Sequence, residues 1–213
     1  MFDYFGYKNI KYLFDGYFIM RKKGSIDTLG SKTYKENENY LTKFFSEEDY
    51  DHFSRLYPII ENGPSVPPIE FQKNNTLICK NLGDKCLSHL IIDEVVENVP
   101  IPLNTKNHLR SQLIKFIKFI NKKGLAHRDL NPKNIVIGEG DQLWVIDWDC
   151  LTEQKSPLNK SYDITGSGAF SPKQTNNMHI FKNIFHMSRY FPSIGEFLGI
   201  TMEDFNENIP FML

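Results

Sequence analysis

Hydrophobic and polar positions along the chain fall into short alternating segments, then two helical stripes, then a hairpin. Residues 8–23 (KNIKYLFDGYFIMRKK) read as two strands joined by Asp15-Gly16, a dipeptide that suits a tight hairpin turn. Alternation puts Phe18, Met20 and Lys22 on one face of the second strand, and Ile19, Arg21 and Lys23 on the other. Residues 31–45 (SKTYKENENYLTKFF) space Tyr34, Asn37/Glu38, Leu41 and Phe44/Phe45 at helical intervals. This predicts an amphipathic helix with Glu38 on its inward face and Glu36 off it. The stretch 61–71 (ENGPSVPPIEF) holds Pro64, Pro67 and Pro68 and predicts a loop leading into an edge strand, because proline has no N–H to donate to a sheet.

Residues 76–79 (TLIC) then read as a buried strand, 80–84 (KNLGD) as a break, and 87–96 as a helix. The strongest helical signal spans 104–123, where Leu109, Leu113, Phe116, Ile117 and Ile120 recur at three- and four-residue intervals. Its end carries Lys122, Lys123 and then Gly124, a basic last turn with a glycine stop. Two apolar runs, Ile135-Val136-Ile137 and Leu143-Trp144-Val145-Ile146, flank a glycine-containing turn at 138–142 and predict a second hairpin. Another helix is expected near 178–190, with room for one or two short helices after it.

Composition narrows the class. With 213 residues, 40% hydrophobic and 14% aromatic, the chain can bury one large core or two small ones. A net charge of −1 gives no electrostatic reason to expect nucleic acid or an anionic membrane as partner. The three cysteines, Cys79, Cys86 and Cys150, lack metal-ligand spacing and cannot all pair, which suggests a reducing compartment. No apolar run approaches the roughly 20 residues of a membrane helix, and no signal peptide is visible near Met1. The expectation is a cytoplasmic protein, or a leaderless secreted effector acting in a host cytoplasm.

The chemistry concentrates in 125–149, LAHRDLNPKNIVIGEGDQLWVIDWD. The hairpin brings Asp129, Asn134 and Asp147 to one rim, a set of carboxylate and amide oxygens suited to a hard cation such as Mg²⁺. His127-Arg128-Asp129, with Asn134 five residues after the Asp and Asp147 after the return strand, resembles the catalytic and metal-binding loops of the protein kinase-like superfamily. The resemblance implies a bilobal α+β fold. Residues 1–82 would form an antiparallel-sheet N-lobe without a glycine-rich loop motif, and 83–213 a reduced helical C-lobe. The C-lobe would hold the catalytic loop 127–134, the metal motif 147–149 and an activation-like segment 150–173.

The resemblance also implies roles. Asp129 would orient the acceptor hydroxyl and receive its proton, Lys133 would reach the transferred phosphate, and Asn134 and Asp147 would hold Mg²⁺ against ATP. Lys22 is favoured for the strand lysine on the α- and β-phosphates, with Arg21 and Lys23 as alternatives, and Glu38 for its helix partner. The backbone of Lys80, Asn81 and Leu82 would meet the adenine edge, with Cys79 behind it. Residues 164–172 (ITGSGAFSP) resemble the end of an activation segment, although Lys173 stands where a Glu is usual. Asn176-Asn177 stand where an Asp normally bonds the catalytic-loop backbone. Arg128 suggests a phosphate acceptor in the segment, with Ser161 and Tyr162 as candidates.

Three functions stay open. The first is a minimal protein Ser/Thr kinase using ATP and Mg²⁺, with a protein substrate and room for a partner protein to complete the small C-lobe. Asn131, where Ser/Thr kinases carry Lys, counts against it; the second is a small-molecule or glycan kinase of the aminoglycoside- or choline-kinase type, suggested by Asp147-Trp148-Asp149 in place of the usual Asp-Phe-Gly and by the compact size. The third is a pseudokinase binding module.

Overall fold

The computed structural model describes residues 27–29, 32–36, 40–45, 47–148, 151–153, 177, 180 and 191–205. The expected strands at 8–23, with Arg21, Lys22 and Lys23, lie outside the described residues, as do most of the activation-like segment and the helix expected at 178–190. The chain divides into two compact units, one of residues 1–51 and 69–81, the other of 52–68 and 82–213.

The first unit is built on an antiparallel sheet with five strands among the described residues. Its strands are β1 (Asp27–Leu29), β2 (Lys32–Glu36), β3 (Tyr40–Phe44), β4 (Ile69–Gln72) and β5 (Thr76–Lys80), in the order β1-β2-β3-β5-β4. The helix expected over 31–45 is not there. Lys32–Glu36 and Tyr40–Phe44 are strands that pair antiparallel, with Thr33 opposite Phe44 and Glu36 opposite Leu41. Thr33, Tyr34, Tyr40, Thr42 and Phe44 are β-branched or aromatic, and their fit to a pleated surface outweighs the helical spacing of the apolar positions. Glu38 falls between the two strands and outside the described residues, so the helix that was to present it does not exist. The helix comes later, as α1 (Glu47–Leu56).

The proline-rich stretch leads into a strand at the edge of the described sheet, since among the described residues β4 pairs only with β5. β5 is central, between β3 and β4, and buries Leu77 and Cys79. In this sheet Tyr50 donates its hydroxyl to the Gln72 carbonyl at 2.7 Å and meets Phe71 edge-on, which fixes the start of α1.

The second unit is mainly helical. It contains β6 (Lys85–Cys86), α2 (Leu87–Val95), α3 (Leu103–Lys122), β7 (Leu125–Ala126), β8 (Ile135–Ile137), β9 (Leu143–Val145), β10 (Thr152–Glu153) and α4 (Ile194–Leu198). α3 buries all five residues of its predicted stripe, Leu109, Leu113, Phe116, Ile117 and Ile120, and each is fully shielded from solvent. Gly124 follows with φ +70°, a left-handed stop that glycine adopts without strain. The predicted hairpin forms, with Ile135 opposite Val145 and Ile137 opposite Leu143, and β6 adds to its outer side. Segment 52–68 closes the other side: Ser65 accepts the Val145 N–H at 2.8 Å.

Candidate active site

Residues 127–134 are folded largely by their own hydrogen bonds. β7 pairs with β10 and delivers the chain to His127, which is wholly buried. The His127 ring receives the Asp129 N–H at Nδ1 (3.2 Å) and lies 3.0 Å from the Ile146 carbonyl through Nε2. A carbonyl only accepts, so Nε2 carries the proton and His127 is the neutral Nε2–H tautomer. The ring tilts against Trp148 at 4.7 Å between centroids, and Trp148 meets Phe116 of α3 edge-on at 5.7 Å. The Trp148 indole N–H donates to the Val145 carbonyl at 2.8 Å. Trp148 thus joins the exit of β9 to the loop and to the main helix of the unit.

Asp129 is held at both carboxylate oxygens. Asn131 donates to Oδ1 at 3.1 Å, and Asn134 donates to Oδ2 at 2.8 Å. Asn134 Nδ2 also reaches the Asp129 carbonyl at 2.9 Å. An acidic side chain can only accept here, so the amide nitrogens must face it, which leaves the Asn134 Oδ1 as an acceptor. Asn131 spends its own Oδ1 on the Lys133 N–H at 2.9 Å, capping the short 3-10 turn Pro132–Asn134. Two amides therefore fix one carboxylate in position, each held in turn by the turn between them.

Asp147 follows the return strand. The Ile146 N–H donates to the Asn134 carbonyl at 2.9 Å, which ties the backbone before Asp147 to the backbone of Asn134. Asp147 is half-buried and takes φ +65°, and Arg128 takes φ +66°. Left-handed backbone costs a non-glycine residue about 1–3 kcal/mol and persists where surroundings over-determine it, often at functional sites. Here the flanking bonds of Ile146, Trp148 and His127 do the determining.

Asn177, from a part of the chain 50 residues downstream of His127, completes the support. Its Oδ1 accepts the His127 N–H at 2.8 Å, and its Nδ2 donates to Asn121 Oδ1 at 2.7 Å and to the Leu125 carbonyl at 2.9 Å. It is fully buried. The residue that stands where an Asp was expected therefore anchors the loop as an amide.

Lys133 projects to solvent. The protein around its ammonium lowers its pKa through desolvation, partly offset by the charge of nearby Cys86. The side chain itself is exposed. Lys80, Asn81 and Leu82 form the end of β5 and the chain beyond it; Lys80 is exposed, Asn81 and Leu82 half-buried. Asn81 is the last residue of the first unit, and from Leu82 on the chain belongs to the second.

The structure thus brings Asp129, Lys133 and Asn134 into one loop and ties Asp147 to it, while Lys22 and Glu38 lie outside the described residues. It also shows a residue that sequence reading passes over. Lys43, in the middle of β3, is only 7% exposed and lies 5.1 Å from the Phe45 ring centre.

A family model described as "RIO domain" matches residues 13–162, more than half of the chain. The chain belongs to the RIO domain family. This places it within the protein kinase-like superfamily, the coarser part of the resemblance read from 125–149. Among curated relatives, this RIO domain is 37% identical over 102 residues to the Schizosaccharomyces pombe "Serine/threonine-protein kinase ppk34", covering 47% of the chain and 26% of the relative. It is 32% identical over 73 residues to the Saccharomyces cerevisiae "Serine/threonine-protein kinase KSP1", covering 32% of the chain and 7% of the relative. The RIO domain chain therefore spans about a quarter or less of these curated relatives. Among solved structures it resembles the Cydia pomonella granulovirus kinase PK-1 with a TM-score of 0.52 and 14% identity, over 78% of this chain and 66% of that one. At that identity the likeness shows the fold: the α+β, protein-kinase-like fold expected from sequence.

Proposed function

We propose that this RIO domain is an ATP- and Mg²⁺-dependent phosphotransferase that passes the γ-phosphate to a hydroxyl, and that the hydroxyl belongs to a Ser or Thr of a protein. The observation that carries the reading is the double grip of Asn131 and Asn134 on the Asp129 carboxylate. A carboxylate locked at both oxygens, in a loop whose next rim residue is Asp147, is a positioned base for an acceptor hydroxyl.

The residues present fit a Mg²⁺–nucleotide. Among the described residues no group of three or more His, Cys, Asp or Glu could hold a metal alone. One carboxylate (Asp147) and one amide oxygen (Asn134 Oδ1) are a partial oxygen set of the kind Mg²⁺ takes when phosphate oxygens and water complete its shell. When bound, the ion would neutralise charge on the phosphates. Asn134 serves both ends, its nitrogen on Asp129 and its oxygen toward the cation. Lys133 is the exposed cation of the loop and suits the transferred phosphate, since Asn131 is turned inward onto Asp129 and Lys133 N.

For the lysine on the α- and β-phosphates, Lys43 is now the better proposal than Lys22. It is a buried cation on the strand directly before a helix that carries Glu47, Glu48, Asp49 and Asp51, and in protein kinases this lysine likewise stands on a strand of the N-lobe sheet. Glu38 has no helix to present it, so the partner acid belongs on α1. We keep the backbone of Lys80, Asn81 and Leu82 as the proposed adenine edge.

Both curated relatives are named as serine/threonine-protein kinases, which supports a protein acceptor. A second reading, a small-molecule or glycan kinase, is favoured by Trp148, the residue that here replaces the usual Phe and is packed between His127 and Phe116. Among the described residues no helix is long and apolar enough to cross a membrane, and the proposed partners are proteins and not nucleic acid. Incubation of purified protein with γ-labelled ATP and Mg²⁺, alone and with a lysate, separates the readings. Label in protein supports the first, label only in small molecules supports the second, and no label with intact nucleotide binding supports a pseudokinase.

A further inference from the structure

Outside the loop, a second cluster of reactive side chains sits where β6 meets α2. Cys86 is the N-cap of α2 and pairs with Val136 of β8. Its sulfur lies 3.0 Å from Ser88 Oγ and 3.1 Å from His89 Nδ1, and it accepts the backbone N–H of His89. His89 Nδ1 also lies 3.0 Å from the Cys86 N–H. That nitrogen therefore has two uses. As an acceptor it satisfies the Cys86 N–H, and when protonated it donates to the sulfur instead. Three donors can converge on one sulfur at the positive end of a nine-residue helix.

We propose that Cys86 is a modification site, a thiol activated by His89 that reacts with small peroxides and soft alkylating electrophiles. The nucleophile and its base stand within hydrogen-bonding distance, the arrangement by which thiols are activated. With a peroxide, the thiolate attacks one oxygen, the O–O bond breaks, and the leaving hydroxide takes the imidazolium proton to become water. Sulfur is oxidised to a sulfenic acid, the peroxide is reduced, and His89 ends neutral.

The environment agrees. Burial pushes the Cys86 thiol up, but the bonds from His89 and Ser88 and the charge of His89 outweigh it and bring the thiol below the usual cysteine range. The bond to Cys86 raises His89 in turn, against the opposite effect of its own burial. Cys86 keeps 7% of its surface, and His89 is half-buried, so the approach is open to small reagents only. The sulfur's charge is also felt at Lys133, so an adduct there changes the electrostatics of the loop. Cys79 supplies an internal contrast: it is buried without such a partner, and burial raises its pKa to about 11.

The test is timed alkylation of the folded protein with iodoacetamide across a pH series, each cysteine followed by peptide mass spectrometry. At neutral pH, Cys86 is expected to label at least about tenfold faster than Cys79, with a rate midpoint below about 8.5, the ordinary thiol value. His89→Gln keeps an acceptor for the Cys86 N–H but has no proton to exchange. It is expected to slow Cys86 labelling at least about fivefold and raise its midpoint, leaving Cys79 unchanged. A parallel dimedone trap after peroxide treatment is expected on the Cys86 peptide. Native Cys86 as slow as Cys79, or with a midpoint at or above the ordinary value, overturns the proposal without need of any variant. The readout is labelling, so it is independent of phosphotransfer.

Discussion

Asn177→Ala is the perturbation that best probes the support of the loop. The substitution removes three buried hydrogen bonds, at 2.7, 2.8 and 2.9 Å, to Asn121, His127 and Leu125. A buried intramolecular bond contributes about 0.5–1.5 kcal/mol net, so the three together contribute about 3 kcal/mol, and the stranded His127 N–H adds to the loss. Because each 1.4 kcal/mol is about tenfold in an equilibrium, local opening at His127 should become roughly a hundredfold more frequent. Hydrogen exchange at the His127 amide reads this directly. Asn121→Ala removes only one of the bonds and should cost about 1 kcal/mol. In the double variant that cost should nearly vanish, giving a coupling of about 1 kcal/mol. Exchange at His127 accelerated less than about fivefold in Asn177→Ala would refute this account of the loop's anchoring.

Other outcomes follow from the same geometry. Trp148→Phe keeps a ring against His127 and Phe116 but loses the 2.8 Å bond to Val145; a loss of about 1–2 kcal/mol is expected in urea unfolding. Gly63→Ala places a methyl 2.2 Å from the Phe119 ring, and about 1–3 kcal/mol should be lost unless that ring swings away, which a crystal structure of the variant would show. Ser193→Ala removes the N-cap of α4 and should cost about 1 kcal/mol by the same unfolding assay. Glu196, in the same capping box, is held below the usual glutamate range by the backbone and side-chain bonds of Ser193. A depressed folded pKa contributes stability that is full above the unfolded value and fades as pH falls through the folded one. Glu196→Gln should flatten the part of the stability profile that falls away as pH drops through and below the ordinary glutamate value of about 4.3.

The second unit was largely legible in the sequence, because its signals are strong and local. The five-residue stripe of α3, the turn at 138–142 and the β-branched runs around it admit few other readings. The first unit was misread at 31–45, where alternation in Lys32–Glu36 is polar on both faces and the apolar positions happen to fall at helical spacing. α1 was missed for the complementary reason. Glu47–Leu56 opens on an acidic run and buries only Phe53 and Leu56 among its described side chains, although Ser46-Glu47-Glu48-Asp49 has the pattern of a helix start. Once 40–44 is a strand, Lys43 follows apolar Leu41 by two positions just as Lys22 follows Met20, so the sequence pattern favours it no less. The oxygen set Asp129, Asn134 and Asp147 could be read from spacing. The grip of Asn131 on Asp129 could not, and the anchor at Asn177 was located through the family resemblance alone, since a side-chain bond across 50 residues leaves no periodic trace.

The most direct measurement compares γ-phosphate transfer and Mg²⁺–ATP binding in the wild type, Asp129→Ala and Asp147→Ala, with folding verified by circular dichroism. In the proposed mechanism Asp129 works on the acceptor and Asp147 through the cation. Asp129→Ala should therefore lose at least about a hundredfold in turnover with nucleotide binding little changed, as expected for a positioned base. Asp147→Ala should lose both transfer and Mg²⁺-dependent binding. Near-normal transfer by Asp129→Ala, in folded protein, would contradict the assignment of 127–134 as the catalytic loop.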